Sequence, residues 1–187
     1  MLTQKYAEKW LPSEHLDKDE KIVIFLRRHW FVLLSKYIFM GVLALAPILV
    51  YFLVQQVFPS LLANEVAKAL MILIVSLYYL FIWLTIYTVF IDYYLDVWIV
   101  TTDRIVDREQ KGLFNLTISE QSIKQVQDVS SNMKGIFPTL LEYGDVLIQS
   151  AAAQNLFRFQ QVPEPEIVAM EVNKLATAYR KDHPGEN

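Results

Sequence analysis

Three histidines are the first candidates for acid–base or metal chemistry, because a neutral imidazole can transfer a proton or bind a metal near pH 7. His15, His29 and His183 lie far apart in the sequence, and no two of them have the spacing of a metal-ligand pair. The 187 residues contain no cysteine, which excludes disulfide bonds, thiolate nucleophiles and cysteine-ligated metal sites. We therefore predict no catalytic residue, no metal, no cofactor and no enzymatic activity.

Two carboxylates, Asp92 and Asp96, directly follow a long apolar run that ends at Ile91. A carboxylate at this position could bind an ion or relay a proton. Neither residue lies within the apolar run itself, so a polar end to an apolar helix is the simpler interpretation. The ion-relay alternative would make the chain an accessory subunit of a small transporter or membrane enzyme.

Cations and aromatic rings are combined just before an earlier apolar run. Side chains with an apolar body and a charged or hydrogen-bonding tip are typical of the membrane–water interface. An anionic lipid surface attracts each such cation by about 1 kcal/mol. We predict that these residues lie at the membrane interface, where they would orient the protein without selecting a ligand: Arg27, Arg28, Trp30, Lys36 and Tyr37.

Two runs, residues 37–64 and 69–91, contain no Asp, Glu, Lys, Arg or His. A helix needs about 20 apolar residues to cross the hydrocarbon core of a bilayer, so each run is long enough. We predict a transmembrane helical hairpin over residues 37–91, with spans at 37–58 and 69–91. Pro47 should kink the first span because it removes one helical hydrogen bond.

The cationic residues flank the predicted hairpin rather than the turn within it. Four Lys or Arg residues precede the first span within residues 21–36, three follow the second span, and the turn contains only Lys68. Short loops rich in Lys and Arg stay in the cytoplasm. The pattern predicts a multi-pass protein of the inner (cytoplasmic) membrane, with the segment 1–36 and the C-terminus both in the cytoplasm.

Residues 92–181 alternate between short apolar stretches and turn signals, which is typical of an antiparallel sandwich or small barrel. Apolar residues recur with helical spacing after Pro163 and Pro165, which predicts a capping helix, and residues 182–187 are expected to be a disordered tail. Residues 20–30 are compatible with a strand or with a helical lead-in to the first span. The six predicted strands are 94–101, 104–110, 113–119, 123–131, 145–149 and 155–160.

The segments DYYLDVWIVTTDRIVDREQKGLF, VQDV, LLEYGDVLIQSA and VPEPEIV, within residues 92–180, resemble a bacterial pleckstrin-homology (PH-like) domain. With two preceding spans and the RRHW segment, the chain is similar to the small membrane-anchored PH-like proteins of bacteria, long catalogued as a domain of unknown function. The resemblance implies a partly open barrel of about seven strands, capped by a C-terminal helix. Residues 21–27 would then supply the seventh strand. The expected fold class is an α+β membrane protein: a two-helix transmembrane hairpin plus a small antiparallel PH-like β-barrel capped by a helix.

Charge argues against two classes of ligand. Residues 92–187 carry nine Lys or Arg against fourteen Asp or Glu, a net charge of −5, which disfavours nucleic acid. By analogy with eukaryotic PH domains, a lipid headgroup would bind the first hairpin, but three acids and three bases alternate there, as expected for a solvated face with cross-strand ion pairs. These residues are Asp103, Arg104, Asp107, Arg108, Glu109 and Lys111.

The expected function is therefore a non-catalytic interaction or scaffold module at the cytoplasmic face of the membrane. Its partners would be the lipid bilayer and either a membrane protein or a second copy of the chain. A lipid-headgroup sensor is kept as an alternative, beside the accessory subunit of a transporter or membrane enzyme.

Overall fold

The computed structural model describes residues 20–150 and 157–182. His15 and His183, residues 1–19 of the predicted N-terminal segment and residues 183–187 of the tail predicted at 182–187 lie outside the described residues. Asp182, predicted as the first residue of the tail, is instead the last residue of a helix. The elements, in chain order, are β1 (Ile22–Arg27), α1 (Trp30–Ala44), α2 (Ala46–Val57), α3 (Pro59–Ala63), α4 (Glu65–Leu95), β2 (Val97–Thr101), β3 (Arg104–Lys111), β4 (Asn115–Ser122), a 3₁₀ turn (Ile123–Gln125), β5 (Val126–Asn132), α5 (Ile136–Leu140), β6 (Tyr143–Ser150), β7 (Phe157–Pro163) and α6 (Pro165–Asp182).

The chain divides into two compact units, of which one is the helical segment 30–91. Its helical stretches, Trp30–Val57 and Glu65–Leu95, are long and apolar enough to cross a membrane, judged by length and composition. The first begins seven residues earlier than the predicted start at 37. The second continues to Leu95, so residues 94–95, predicted as strand, are helical. The predicted turn contains the short helix α3.

Pro47 interrupts the first helical stretch, and two tyrosines of α4 compensate for the interruption. Because Pro47 has no amide hydrogen, the carbonyl of Leu43 loses its helical donor. The amide of Ile48 donates to Leu45 instead of Ala44, at 3.1 Å, so the Ala44 carbonyl is freed as well. The hydroxyl of Tyr78 donates to Leu43 O at 2.7 Å, and that of Tyr79 donates to Ala44 O at 3.0 Å.

The second unit contains the β structure, and its first strand precedes the helical segment in sequence. β1 pairs antiparallel with β2, so the helices from α1 to α4 are an insertion between two neighbouring strands. The first sheet has the order β1-β2-β3-β4, and the second has the order β5-β6-β7. This pairing supplies the seventh strand that the resemblance required.

The structure confirms the predicted antiparallel strands but not a closed barrel: the described strands form two antiparallel sheets that do not close. Among the described residues no ladder joins β4 to β5, because the 3₁₀ turn between them redirects the chain. Helix α6 packs on β5, β6 and this turn. Its buried side chains cover one side of the core.

The core lies between the two sheets and α6. Trp98 of β2 packs against Phe159 of β7, with ring centroids 5.9 Å apart, and both side chains are almost completely buried. Val172 and Ala176 of α6 are fully buried in the same cluster. Two positions of the predicted apolar stripe on α6 are solvent-exposed instead, Ile167 and Met170.

We expect Tyr78→Phe to lower the free energy of unfolding by about 1 kcal/mol, because the Leu43 carbonyl would lose its hydrogen-bond donor in apolar surroundings. Chemical denaturation in detergent solution would measure this loss. Tyr87→Phe is the matched control, since no hydrogen bond of the Tyr87 hydroxyl is described and its side chain is exposed.

A double-mutant cycle distinguishes this mechanism from general loss of packing. In the Pro47→Ala background an amide at position 47 can again donate to Leu43, so Tyr78→Phe should then cost less. Equal losses at Tyr78 and Tyr87, or no coupling to Pro47, would contradict the explanation.

Candidate functional site

A group of largely buried polar and charged side chains lies where β1 ends and β2 begins. We define the Arg28 cluster as Arg28, Asp96, Asp107 and Gln160, all within the β unit. Arg28 follows the last residue of β1, Asp96 precedes the first residue of β2, and the other two lie on β3 and β7. Pairing of β1 with β2 therefore brings together two residues that are 68 positions apart.

An ion pair is at the centre of this cluster. The Nη2 atom of Arg28 lies 2.8 Å from Asp96 Oδ2, and their side chains are only 15% and 2% exposed. Arg28 also donates to Gln160 Oε1 at 3.2 Å. The second oxygen of Asp96 accepts the backbone amide of Gln110 at 2.7 Å. Both carboxylate oxygens thus have a partner, which makes burial of this charge tolerable.

Asp107 is the least satisfied member of the cluster. It lies opposite Trp98 in the β2–β3 ladder, and cross-strand neighbours share one face of a sheet. Within the described structure, Asp107 Oδ1 and the indole Nε1 of Trp98 are buried without a hydrogen-bond partner. The indole nitrogen nevertheless lies near enough to the carboxylate to favour its charged form slightly.

Burial and neighbouring charges shift the pKa values of the two carboxyl groups in the cluster. Burial, and then the neighbouring negative charges of Glu109 and Asp96, raise the pKa of Asp107 to about 7. Burial also raises the pKa of Asp96, although the Gln110 amide and the Arg28 guanidinium act in the opposite direction. Asp107 can therefore exchange a proton near neutral pH.

The residue next to Arg28 links β1 to the second sheet. The backbone amide of His29 donates to the carbonyl of Gln161 at 2.7 Å, and its imidazole stacks on Tyr143 at a centroid distance of 4.9 Å. Burial lowers the pKa of His29. Gln161 has a φ of 54°, which costs a non-glycine residue about 1 kcal/mol or more. Asp145 accepts its amide at 2.8 Å and stabilises this conformation.

Asp92 has a structural partner that its sequence position did not predict. Its Oδ1 atom accepts the backbone amide of Gly112 at 2.9 Å. Asp92 and Asp96 thus both bind backbone amides of the β3–β4 hairpin. These bonds go beyond the predicted polar end of an apolar helix. They occupy one oxygen of Asp92, and together with the Arg28 ion pair they occupy both oxygens of Asp96.

The five predicted interface residues differ in their surroundings. The guanidinium of Arg27 lies over the rings of Phe25 and Tyr94, at 5.4 and 4.8 Å from their centroids. Arg28 belongs to the buried cluster, whereas Trp30 and Lys36 are exposed on α1 and Tyr37 is half-buried there. Their contact with lipid stays a prediction, and for Arg28 the ion pair with Asp96 competes with it.

The β2–β3 hairpin is less fully solvated than predicted, because one of its charged side chains pairs with a buried carboxylate. Arg104 donates from Nη2 to the buried carboxylate of Glu20 at 2.7 Å and from Nη1 to Glu120 at 3.1 Å. Hydrogen bonding to Glu20 raises the pKa of Arg104 above its usual range. Lys111 pairs with Glu109 at 3.0 Å. These cations are engaged with carboxylates rather than converging on an open anion site.

Residues 20–150 and 157–182 contain no group of three or more His, Asp or Glu side chains arranged to hold a metal ion. Sequence reasoning missed three neighbours: Gln160 of Arg28, Trp98 of Asp107 and Glu20 of Arg104. Each contact joins residues that are separated in the chain and that only strand pairing or packing brings together. One signal was present for Asp107, which was predicted to lie on a solvated face: it shares strand parity with the core residue Ile105, and that parity indicates a core-facing position.

We expect Asp107→Asn to remove part of the pH dependence of stability. The folded protein retains the Asp107 proton up to about pH 7, whereas the unfolded chain releases it near pH 4. Between these values the unfolded state binds fewer protons, so wild-type stability falls as pH rises. The Asn variant should be more stable than the wild type by roughly 1–2 kcal/mol at pH 8, after allowance for solvent screening, and equally stable at pH 4.

Denaturation midpoints measured in detergent across this pH range would test the expectation. Asp103→Asn, at an exposed carboxylate of the same hairpin, is the control and should follow the wild-type curve. Parallel curves for Asp107→Asn and the wild type would contradict a raised pKa at Asp107.

Comparison with known proteins gives one weak similarity. No family model matches the sequence, and no curated protein matches it. Among solved structures, the chain is similar to a DUF1696 family protein with a pleckstrin-homology domain from Shewanella loihica PV-4. The two share 10% identity with a TM-score of 0.34, over 45% of this chain and 69% of the other. A match this low carries no argument about function, so the PH-like description continues to rest on the sequence resemblance.

Proposed function

We propose that this chain is a multi-pass membrane protein whose β unit is a non-catalytic interaction module at the cytoplasmic face. The observation that carries the proposal is the insertion of two long apolar helical stretches between β1 and β2. Because these two strands pair, both ends of the insertion must emerge on the same side of any membrane it crosses. An even number of spans satisfies this condition, and a helical hairpin has two.

The distribution of cations supports the cytoplasm as that side. Lys21, Arg27 and Arg28 precede the insertion, and Lys36 lies within the first two turns of α1. The loop between the helical stretches and the first turn of α4 together contain Lys68 alone. Positively charged short segments remain in the cytoplasm during membrane insertion. Both termini of the chain would then be cytoplasmic.

The surface of the β unit supports interaction rather than catalysis. Strand β4 pairs with β3 along one edge, and no ladder between described strands covers its other edge. Its side chains Leu116 and Ile118 are exposed. An open edge of this kind can add a strand from another protein, with backbone hydrogen bonds giving affinity and alternate side chains giving specificity.

Anchoring would make such a module effective at low intrinsic affinity. A membrane-bound domain meets other membrane proteins in two dimensions, which raises its effective concentration for them. The partner would be another membrane protein or a second copy of this chain.

Neither alternative function is favoured by a contact among the described residues. For an accessory subunit that relays ions, Asp92 and Asp96 are unfavourable because they bind backbone amides. For a lipid-headgroup sensor, Arg104 and Lys111 are unfavourable because they pair with carboxylates.

We expect single cysteines to report the proposed topology, because the chain has no cysteine of its own. Ser60→Cys, exposed on α3, should react with a membrane-impermeant thiol reagent in intact cells. Ser130→Cys, exposed on β5, should react only after permeabilisation. Ser150 is a poorer position because its hydroxyl accepts a hydrogen bond from Gln121 at 3.0 Å. Equal labelling of both positions in intact cells would contradict the hairpin topology.

We expect a photo-crosslinking amino acid at Ile118 to give a discrete adduct in native membranes. The same amino acid at Ile167, an exposed isoleucine on α6, is the matched control and should give none. An adduct of twice the 21.8 kDa chain mass would identify a second copy as the partner. No adduct at Ile118, or equal adducts at both positions, would contradict the use of the β4 edge.

A further inference from the structure

Two corners of the β unit expose large apolar side chains that the core does not use. The first corner is the β3–β4 turn, where Phe114 is 97% exposed. The second is the short helix α5, where Ile136 is 83% and Leu140 is 74% exposed. Contiguous exposed apolar residues of this size mark a surface that another molecule covers.

The first corner is bound to the residue that follows the second apolar run. Gly112, two residues before Phe114, donates its amide to Asp92 at 2.9 Å. Two residues of chain span at most about 7 Å, so Phe114 lies close to Asp92. Asp92 directly follows Ile91, where the charge-free run ends.

The second corner is bound in the same way to the residue that precedes the first apolar helix. Tyr143, three residues after Leu140, stacks on His29 at a centroid distance of 4.9 Å. Three residues span at most about 11 Å, so Leu140 lies near His29. The next residue after His29, Trp30, begins the first helical stretch.

We propose that the β3–β4 turn and helix α5 insert into the interfacial region of the lipid bilayer at the two ends of the helical insertion. This inference rests on the proposed membrane anchoring. It adds direct lipid contact by two corners of the β unit.

Lipid, rather than a protein, is the occupant that the observations favour. Both corners are attached to residues at the ends of the apolar helices, so a membrane crossed by those helices would be the apolar phase nearest to each along the chain. At the second corner a cation accompanies the apolar residues, since Lys134 lies two residues before Ile136. An apolar tip next to a lysine is typical of segments that insert at an anionic membrane surface, where the ammonium group reaches the headgroups.

The opposite end of the same hairpin offers a matched control. Asp103 lies in the exposed turn between β2 and β3, and the eight residues of β3 separate it from Gly112. A strand of that length spans about 26 Å. Asp103 should therefore lie well outside the interfacial region if the β3–β4 turn lies within it.

The test uses the full chain reconstituted into vesicles of phosphatidylethanolamine and phosphatidylglycerol. Single cysteines replace Phe114, Ile136, Asp103 or Leu49, an exposed residue of α2 that serves as the lipid-buried reference. Each carries a fluorophore whose emission shifts to the blue in an apolar phase, and a nitroxide-labelled lipid serves as the quencher. We expect a blue shift and several-fold stronger quenching at Phe114→Cys and Ile136→Cys than at Asp103→Cys.

The four positions separate failure of this proposal from failure of membrane anchoring. If Leu49→Cys is quenched while Phe114→Cys and Ile136→Cys behave like Asp103→Cys, the anchoring stands and the lipid-contact proposal is wrong. Quenching at only one of the two corners would overturn the proposal for the other. If Leu49→Cys itself is not quenched, the proposed anchoring fails, and lipid contact fails with it. The replaced corner residues are highly exposed, so the substitutions should leave the fold intact.

Discussion

The pairing of β1 with β2 across the helical insertion is the constraint on which the rest of the structure depends. It completes the four-stranded sheet, brings Arg28 within 2.8 Å of Asp96, and requires both ends of the insertion to be on one side of any membrane. Loop-closure entropy grows only with the logarithm of loop length, so a long insertion between adjacent strands is tolerated. The ladder and the buried side chains at its centre, among them Leu26 and Trp98, can offset that cost.

Satisfaction of buried polar groups by distant residues is a second theme of the fold. Pro47 frees two carbonyls in one helical stretch, and Tyr78 and Tyr79 of the other supply donors to them. Asp92 and Asp96 likewise accept amides from the β3–β4 hairpin. Asp107 and the indole of Trp98 are exceptions, since one oxygen of Asp107 and the indole nitrogen are each buried without a partner in the described structure. Burial without a donor disfavours the charged carboxylate, and burial is also the main reason why the pKa of Asp107 is raised.

The charged side chains of the β unit pair with one another, and this is why we propose contact with other molecules, rather than binding of a charged ligand, as its function. Arg28, Arg104 and Lys111 are each paired with a carboxylate of the same unit, and these pairs stabilise the sheet rather than present a positive surface. A headgroup site needs several cations that converge on one open position. We propose that other molecules contact the edge of β4 and the two apolar corners, which offer unpaired backbone groups and apolar side chains rather than a site for a small charged ligand.

The sequence by itself determined the long apolar helices, the change to β structure after them and the amphipathic C-terminal helix. Each of these depends on composition and on periodicity along a few consecutive residues. Sequence also raised residues 21–27 as a possible strand, but only pairing with β2 distinguished a strand from a helical lead-in. Barrel closure was not predictable, because it depends on how distant sheet edges meet, and no ladder joins β4 to β5 among the described strands. The Arg28 cluster, the partners of Pro47 and the fixed apolar corners were decided by tertiary structure alone, because each joins residues from distant segments whose mutual distance no local pattern encodes.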